Sequence, residues 1–261
     1  MGASEEKPTH PEKVKSKFQD KNIDHIHFET INSTNTWAKL NANTFNPDKI
    51  TCITADVQTA GRGRFNRVWI SPKSKNILVT FFFTLPKQSP ILSHVGQVLG
   101  LSCAAVLERQ GFSPTIKWPN DILLEGKKVA GILAETVTLD HYVGVVVGIG
   151  VNVNMEKELL DTIDQPAISL AALTGRSFSV QELLEHLVHQ FTADLAILKA
   201  KGFPPFHPHF DRLLAYKEKT VTCRIGSTTV TGICKEVDNE GRLHIKLPSG
   251  HVEKISSGEL I

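Results

Sequence analysis

The first regular pattern along the chain is His25-Ile-His-Phe28, where alternation predicts a strand. Ser33-Thr34-Asn35 then supplies N-cap residues for a short helix through Leu40. Ile50–Ala55 and Asn76–Thr84 are rich in β-branched and aromatic residues and predict strands on either side of a Gly/Arg segment. Helical spacing returns at Leu92–Arg109 through Val95, Val98, Leu99, Leu101, Ala105 and Val106, and stops at Gln110-Gly111. Thr115–Trp118 is short and extended into Pro119. Asp121–Leu124 and Lys128–Glu135 flank a Glu125-Gly126 turn, which is a hairpin signal. Tyr142–Val153 is apolar enough to predict a strand buried on both faces. Gln181–Ala200 carries an amphipathic stripe of Leu183, Leu184, Leu187, Phe191, Leu195 and Leu198.

After Tyr216 the texture changes. Short strands at Val221–Ile225, Thr229–Ile233, Leu243–Leu247 and His251–Ile255 recur with glycine turns, the pattern of a small barrel. A boundary is therefore expected near residue 215, giving a disordered Lys/Glu-rich tail at 1–22, a large domain at 23–214 and a small one at 215–261. The 261 residues suffice for this arrangement, and 41% hydrophobic with 21% charged residues is ordinary for a globular protein. A net charge of +2 argues against a broad nucleic-acid-binding face. Cys52, Cys103, Cys223 and Cys234 are scattered without zinc spacing, which points to reduced, mostly buried thiols and a cytoplasmic location. No apolar run approaches the roughly 18 residues of a membrane span, and Met1-Gly2 followed by Glu6 misses the myristoylation pattern.

Five segments carry candidate chemistry. Gly61-Arg62-Gly63-Arg64, with Arg67 close behind, combines backbone N–H groups and guanidinium forks suited to carboxylate or phosphate oxygens. The same run also reads as a basic surface turn or an arginine loop touching nucleic acid. It is not a Walker loop, since no Lys-Ser or Lys-Thr follows at the required interval. Lys117-Trp-Pro-Asn-Asp121 and Lys127-Lys-Val-Ala-Gly131 add compact cations and polar groups. Gly148-Ile-Gly-Val-Asn-Val-Asn154 fails the dinucleotide fingerprint and reads as a buried strand whose small residues admit a ligand to the backbone, with Asn152 inward. Ser33-Thr34-Asn35 is an N-cap cluster on its own evidence, and a core or edge-packing aromatic is the alternative reading of Trp69.

Taken in order, Ser-Thr-Asn, Gln58 with Gly-Arg-Gly-Arg, Lys-Trp-Pro-Asn-Asp, Lys-x-Ala-Gly-Ile-Leu-x-Glu and Gly-x-Gly-x-Asn resemble the catalytic domain of the biotin protein ligases over about residues 23–261. The resemblance implies an α+β fold: a mixed β-sheet flanked by helices, as in class II aminoacyl-tRNA synthetases and biotin/lipoate ligases, plus a small Src-homology-3-like barrel. It implies ATP-dependent activation of biotin to biotinyl-5′-AMP and transfer to a lysine of a carboxylase biotin carrier domain, such as that of acetyl-CoA carboxylase. By the family's pattern Lys128 and Arg64 are catalytic. The biotin-binding set is Ser33, Thr34, Asn35, Gln58, Gly61, Arg62, Gly63, Arg64, Lys128 and Gly131. The ATP and adenylate set is Arg64, Arg67, Trp69, Asn120, Lys128 and Asn152, with Trp69 stacking on adenine. Mg2+ is expected to bridge ATP oxygens, but no carboxylate cage is visible and no metal ligand is named.

Some relatives carry an N-terminal winged helix-turn-helix and repress genes. About 22 residues precede the first expected strand here, so DNA binding is not expected. Lipoate ligation is the alternative within the fold, and a non-catalytic biotin- or nucleotide-binding regulator is the alternative outside enzymes. The pattern is compatible with a monomer or a homodimer. The Gly/Arg loop is expected to be loose without ligand and to order over the adenylate.

Overall fold

The computed structural model describes Phe18 and residues 20–261, so most of the expected tail lies outside the described residues. Residues at the end of that span are tied to the sheet. Phe18 is buried with its ring 4.7 Å from that of His25, and the Asn22 carbonyl accepts from Ile50 N at 3.0 Å. By its contacts the chain forms two compact units.

The first unit comprises residues up to Ser89, Leu133–Glu156 and Ser169–Gln181. Its strands are β1 (Ile23–Ile31), β2 (Ile50–Gln58), β3 (Asn76–Pro86), the later part of β6 (Lys127–Thr138) and β7 (Tyr142–Asn152), in the order β1-β2-β3-β7-β6. The sheet is mixed. β1 runs parallel to β2, with Ile31 opposite Gln58, whereas β2–β3 and β3–β7 are antiparallel. Helix α1 (Thr34–Leu40) covers one face and buries Ala38 against Ile26, Phe28, Ile31, Ile53, Phe82 and Val146. Most of β3 and β7 is buried, as their unbroken apolar runs predict for central strands. Because β1 and β2 are parallel, their carboxyl ends coincide, and the segments leaving them start side by side. Thr59 N donates to Ile31 O at 2.9 Å and Ala60 N to Asn32 O at 2.9 Å, which prolongs the pairing beyond the strands.

The second unit comprises Pro90–Ile132, Lys157–Ile168 and Glu182–Ile261. Here the beginning of β6 pairs with β5 (Asp121–Leu124), and β5 with β4 (Thr115–Lys117). The β5–β6 turn places Glu125 at φ 50° and Gly126 at φ 74°, the paired left-handed positions a tight hairpin demands. Helix α2 (Val95–Arg109), entered through a 3-10 turn at Leu92–His94, is tied to α5 (Val180–Lys201) by Ser102 Oγ donating to Asp194 Oδ2 at 2.7 Å and Arg109 Nη1 to Gln190 Oε1 at 2.9 Å. The expected α5 stripe is buried along its length. Three short helices were not legible from periodicity: α3 (Lys157–Leu160), α4 (Leu170–Thr174) in the first unit, and α6 (His207–Leu213).

The chain ends in a five-stranded antiparallel sheet, β8 (Thr220–Ile225), β9 (Thr228–Val237), β10 (Leu243–Lys246), β11 (Val252–Ile255) and β12 (Glu259–Leu260), ordered β11-β10-β9-β8-β12. The contacts do not divide the chain at the expected 23–214 and 215–261 boundary, because this sheet is fastened to earlier residues. The fully buried Trp118 donates from Nε1 to Gly241 O at 3.0 Å, Gln97 Nε2 donates to the same oxygen at 2.7 Å, and His94 Nε2 lies 3.0 Å from Glu240 O. The β9–β10 turn is thereby held to α2 and to the residues between β4 and β5. No helix among the described residues is long and apolar enough to cross a membrane.

Gly241 has φ +71°, and a Cβ there would sit 2.4 Å from Gln97 Oε1. Gly241→Ala therefore meets both backbone strain and a clash, and is expected to cost about 1–3 kcal/mol. Urea unfolding measures this; a midpoint equal to that of the parent chain would contradict the tight turn.

Candidate functional site

Ser33, Thr34, Asn35 and Gln58 leave the adjacent carboxyl ends of β1 and β2. Ser33 is the N-cap of α1, its side chain accepting from Thr36 N at 3.3 Å, so the capping reading of this triplet holds for its first member. Thr34 donates to Gln58 Oε1 from both its backbone N, at 2.8 Å, and its hydroxyl, at 3.0 Å. These bonds fix which end of the Gln58 amide is oxygen. Its Nε2 donor end lies beside Gly61, 3.3 Å from where a Cβ would stand. Asn35 is committed inside the protein: Nδ2 donates to Leu133 O at 3.1 Å and to Glu135 Oε2 at 3.2 Å, and Oδ1 lies 2.6 Å from the Thr80 hydroxyl. Thr80, which the sequence reading passed over, is fully buried in β3 and also reaches Thr34 Oγ1 at 2.8 Å.

The Gly/Arg segment, expected as a flexible loop, is a short hairpin. Arg62 pairs with Val68 as an isolated antiparallel bridge, Trp69 N donates to Gly61 O at 2.9 Å, and Gly63 N to Arg67 O at 2.8 Å. A 3-10 turn at Arg64–Asn66 closes it, with Phe65 at φ 56°. The Arg64 guanidinium stands 5.0 Å from the centroid of the Phe65 ring, and Phe65, Arg67 and Val68 are exposed.

The three arginines do not share one role. Arg62 Nη2 lies 3.1 and 3.2 Å from the two oxygens of Glu135, which also accepts from Lys39 Nζ at 2.9 Å. Burial pushes the Glu135 carboxyl up. Hydrogen bonds from Lys39 and Asn35 and the charges of Arg62 and Lys39 outweigh that and hold it below the usual carboxylate range. The sequence reading gave no role to Glu135 or Lys39; the last residue of Lys-x-Ala-Gly-Ile-Leu-x-Glu was the available signal.

The glycines of β7 were expected to admit a ligand to the backbone; they admit two side chains of the chain itself. A Cβ on Gly150 would lie 2.3–2.5 Å from the Trp69 indole, and one on Gly148 would lie 2.2 Å from Asn35 Oδ1. One side of the Trp69 ring is thus spent on β7, so the packing reading of this tryptophan holds for that side. Asn152, buried as expected, ends β7 opposite Asn76.

The second unit holds Asn120, Asp121, Lys128 and Gly131. Lys128 Nζ and Asp121 Oδ1 form an ion pair at 2.9 Å with both side chains largely buried. The pairing register explains how they meet. Asp121 is opposite Gly131 and Ile122 opposite Ala130, but a bulge then sets Leu123 opposite Lys128 and leaves Val129 as the extra residue. Cross-strand partners share a face, and residues two apart share a face. Lys128 therefore falls on the face of Leu123 and Asp121, where unbroken pairing would have put it on the other. Its backbone is clamped by Lys128 N donating to Pro166 O at 2.8 Å and Ile168 N to Lys128 O at 2.9 Å. Asn120, expected at the nucleotide, donates from Nδ2 to Ile132 O at 3.0 Å and to Asp121 Oδ1 at 3.2 Å, so this end of its amide holds the ion pair's carboxylate in place. Among the described residues no group of three or more His, Cys, Asp and Glu side chains is arranged to hold a metal ion.

Comparison with known proteins follows the same segments. The sequence profile described as the biotin/lipoate A/B protein ligase family matches residues 27–152, and that of the biotin protein ligase C terminal domain matches residues 218–261. The chain is 31% identical to the bifunctional ligase/repressor BirA of Bacillus spizizenii over 243 residues, which is 90% of this chain and 73% of that protein. It is 32% identical to the biotin–[acetyl-CoA-carboxylase] ligase of Paracoccus denitrificans over 210 residues, covering 76% of this chain and 85% of that protein. Among solved structures, the biotin protein ligase from Aquifex aeolicus in complex with biotin and ATP superposes with a TM-score of 0.75 at 29% identity, covering 93% of this chain and 98% of that one.

Removing one member of a buried ion pair leaves an uncompensated charge, at a cost of about 3–5 kcal/mol. Asp121→Ala is expected to destabilise the chain by that amount, and adding Lys128→Met should recover most of it. Chemical denaturation of the two variants checks this; equal loss in both would mean that the aspartate acts through something other than Lys128.

Proposed function

The chain belongs to the biotin/lipoate A/B protein ligase family, and we propose that it is an ATP-dependent, AMP-forming biotin protein ligase acting on a carboxylase biotin carrier domain. Biotin's carboxylate attacks the α-phosphorus of ATP; the bond to pyrophosphate breaks and biotinyl-5′-AMP forms. The ε-amine of a carrier lysine then attacks the anhydride carbonyl, forms the amide and expels AMP. Both nucleophiles belong to the substrates. The protein's part is to position them and to supply positive charge where phosphate oxygens gain charge.

The observation that carries this reading is the gathering of Ser33–Asn35, Gln58 and the Gly61–Trp69 hairpin at the shared end of β1 and β2. Biotin's ureido ring has one carbonyl acceptor and two N–H donors, so it needs short polar partners of fixed orientation. Gln58, whose amide is set by Thr34, and the hydroxyls of Ser33 and Thr34 are such partners. The backbone around Gly61–Gly63 adds N–H groups. Asn35 serves this set through its bonds to Thr80, Leu133 and Glu135.

By the family's pattern Arg64 and Lys128 contact biotin's carboxylate and the α-phosphate, Arg67 is a further phosphate contact, and Gly131 lets the ring system pack close to the backbone. Trp69, Asn120 and Asn152 serve the nucleotide, with Trp69 offering adenine the side of its ring not packed on Gly150. Mg2+ is the expected cofactor of the ATP-dependent step, and no residue is assigned to it. A reducing, cytoplasmic location suits the buried thiols of Cys52 and Cys103, which burial holds well above the ordinary thiol range. The reading assigns no DNA-binding role.

The test supplies ATP, Mg2+, labelled biotin and a carboxylase carrier domain. Label should appear on the carrier lysine with pyrophosphate release, and Lys128→Ala should lower the rate of adenylate formation by about 10²–10³-fold. Absence of biotin-dependent pyrophosphate release would overturn the reading. Lipoate in place of biotin, supporting the reaction equally well, would move the assignment to the other branch of the family.

A further inference from the structure

Glu135 is absent from every residue set assigned above, yet three donors from two other segments converge on it. Lys39 Nζ, from the last turn of α1, lies 2.9 Å from Oε1; Asn35 Nδ2, from its first turn, lies 3.2 Å from Oε2; Arg62 Nη2 reaches both oxygens. The Glu135 side chain is 19% exposed, against 39% for Arg62 and 36% for Lys39, so the carboxylate is the inner member of the cluster and the cations its rim. An isolated pair at the surface contributes little. Here one inner carboxylate neutralises two cations that would otherwise repel each other and hydrogen-bonds to a third group.

The consequence is mechanical. The hairpin has two limbs, and Trp69, packed on Gly150, fastens the second. Arg62, bonded to Glu135 on β6, fastens the first. We propose that Glu135 is a positioning residue: by latching Arg62 it holds the Gly61–Trp69 hairpin against the end of β1 and β2, and so sets how tightly biotin is held. The latch itself stands on the geometry; its link to biotin rests on the ligase reading.

Glu135→Gln keeps the shape of the side chain and removes its charge. In the ligand-free variant, trypsin should cleave after Arg62, Arg64 and Arg67 about tenfold faster than in the parent chain, at an unchanged thermal midpoint. The KM for biotin should rise about tenfold, equivalent to about 1.4 kcal/mol, with kcat at saturating biotin within about twofold. Arg62→Ala should likewise speed cleavage after Arg64 and Arg67 in the ligand-free chain, and adding Glu135→Gln should not speed it further, because both changes break the same contact. Glu135→Asp should restore part of the protection. If Glu135→Gln does not fold, Arg62→Ala against Arg62→Lys makes the comparison, the lysine retaining protection.

Unchanged cleavage, an unchanged biotin KM or additive effects of the two substitutions would each overturn the proposal. If the parent chain does not biotinylate a carrier, the ligase reading fails, while the cleavage rates still decide the latch.

Discussion

The extra residue in β6 at Val129 decides which face of the strand carries Lys128, and the polar arrangement of the second unit depends on that displacement. With regular pairing Lys128 would stand opposite Leu124 and point away from Asp121; the bulge shifts it to stand opposite Leu123 and turns it to the aspartate's face. Asn120 then steadies the aspartate, and the Pro166–Ile168 segment clamps the lysine's backbone from the other side. On the proposed reading, this largely buried cation is drawn from the aspartate towards the greater negative charge of an ATP phosphate.

The first unit solves a different problem. Its polar residues occupy a sheet whose central strands are nearly all hydrophobic, so each buried hydrogen-bonding group needs a partner within the chain. Thr34 bonds Gln58 and Thr80, Asn35 bonds Thr80, Leu133 and Glu135, and the glycines of β7 leave room for the Asn35 amide and the Trp69 ring. The outcome is a set of polar groups held in fixed orientation, which on the proposed reading is what recognition of a small ureido ring requires. The hairpin above them is closed by its own backbone hydrogen bonds and carries exposed Phe65 and Val68, so its attachment rests on its limbs rather than on a buried tip.

Much of this was legible in the residues. The strands β1–β3 and β7, the helices α2 and α5, the Glu125-Gly126 hairpin and the late run of short strands all follow from periodicity and turn chemistry, because packing there agrees with local pattern. The N-cap role of Ser33 was equally visible. What escaped was set by distance in the sequence. Glu135 meets Arg62, and Gly241 meets Trp118, only after the chain has folded; a local motif marks Glu135, but nothing local shows which residue either will meet. The bulge at Val129 has no signature in Lys127-Lys-Val-Ala-Gly131, although it settles where the lysine points. Gly148 and Gly150 were recognised as places of close approach, but whether a ligand or a side chain makes that approach depends on neighbours tens of residues away.

On the proposed reading, neither unit supplies a nucleophile. The whole contribution of the chain is orientation and charge, and the oxygen that joins biotin to phosphorus comes from biotin itself. Biotin labelled with 18O in both carboxylate oxygens tests this most directly. After transfer to the carrier lysine, the account predicts one 18O in the released AMP and the other in the new amide carbonyl. AMP free of label, or label in inorganic phosphate or pyrophosphate, would contradict attack of the biotin carboxylate on the α-phosphorus.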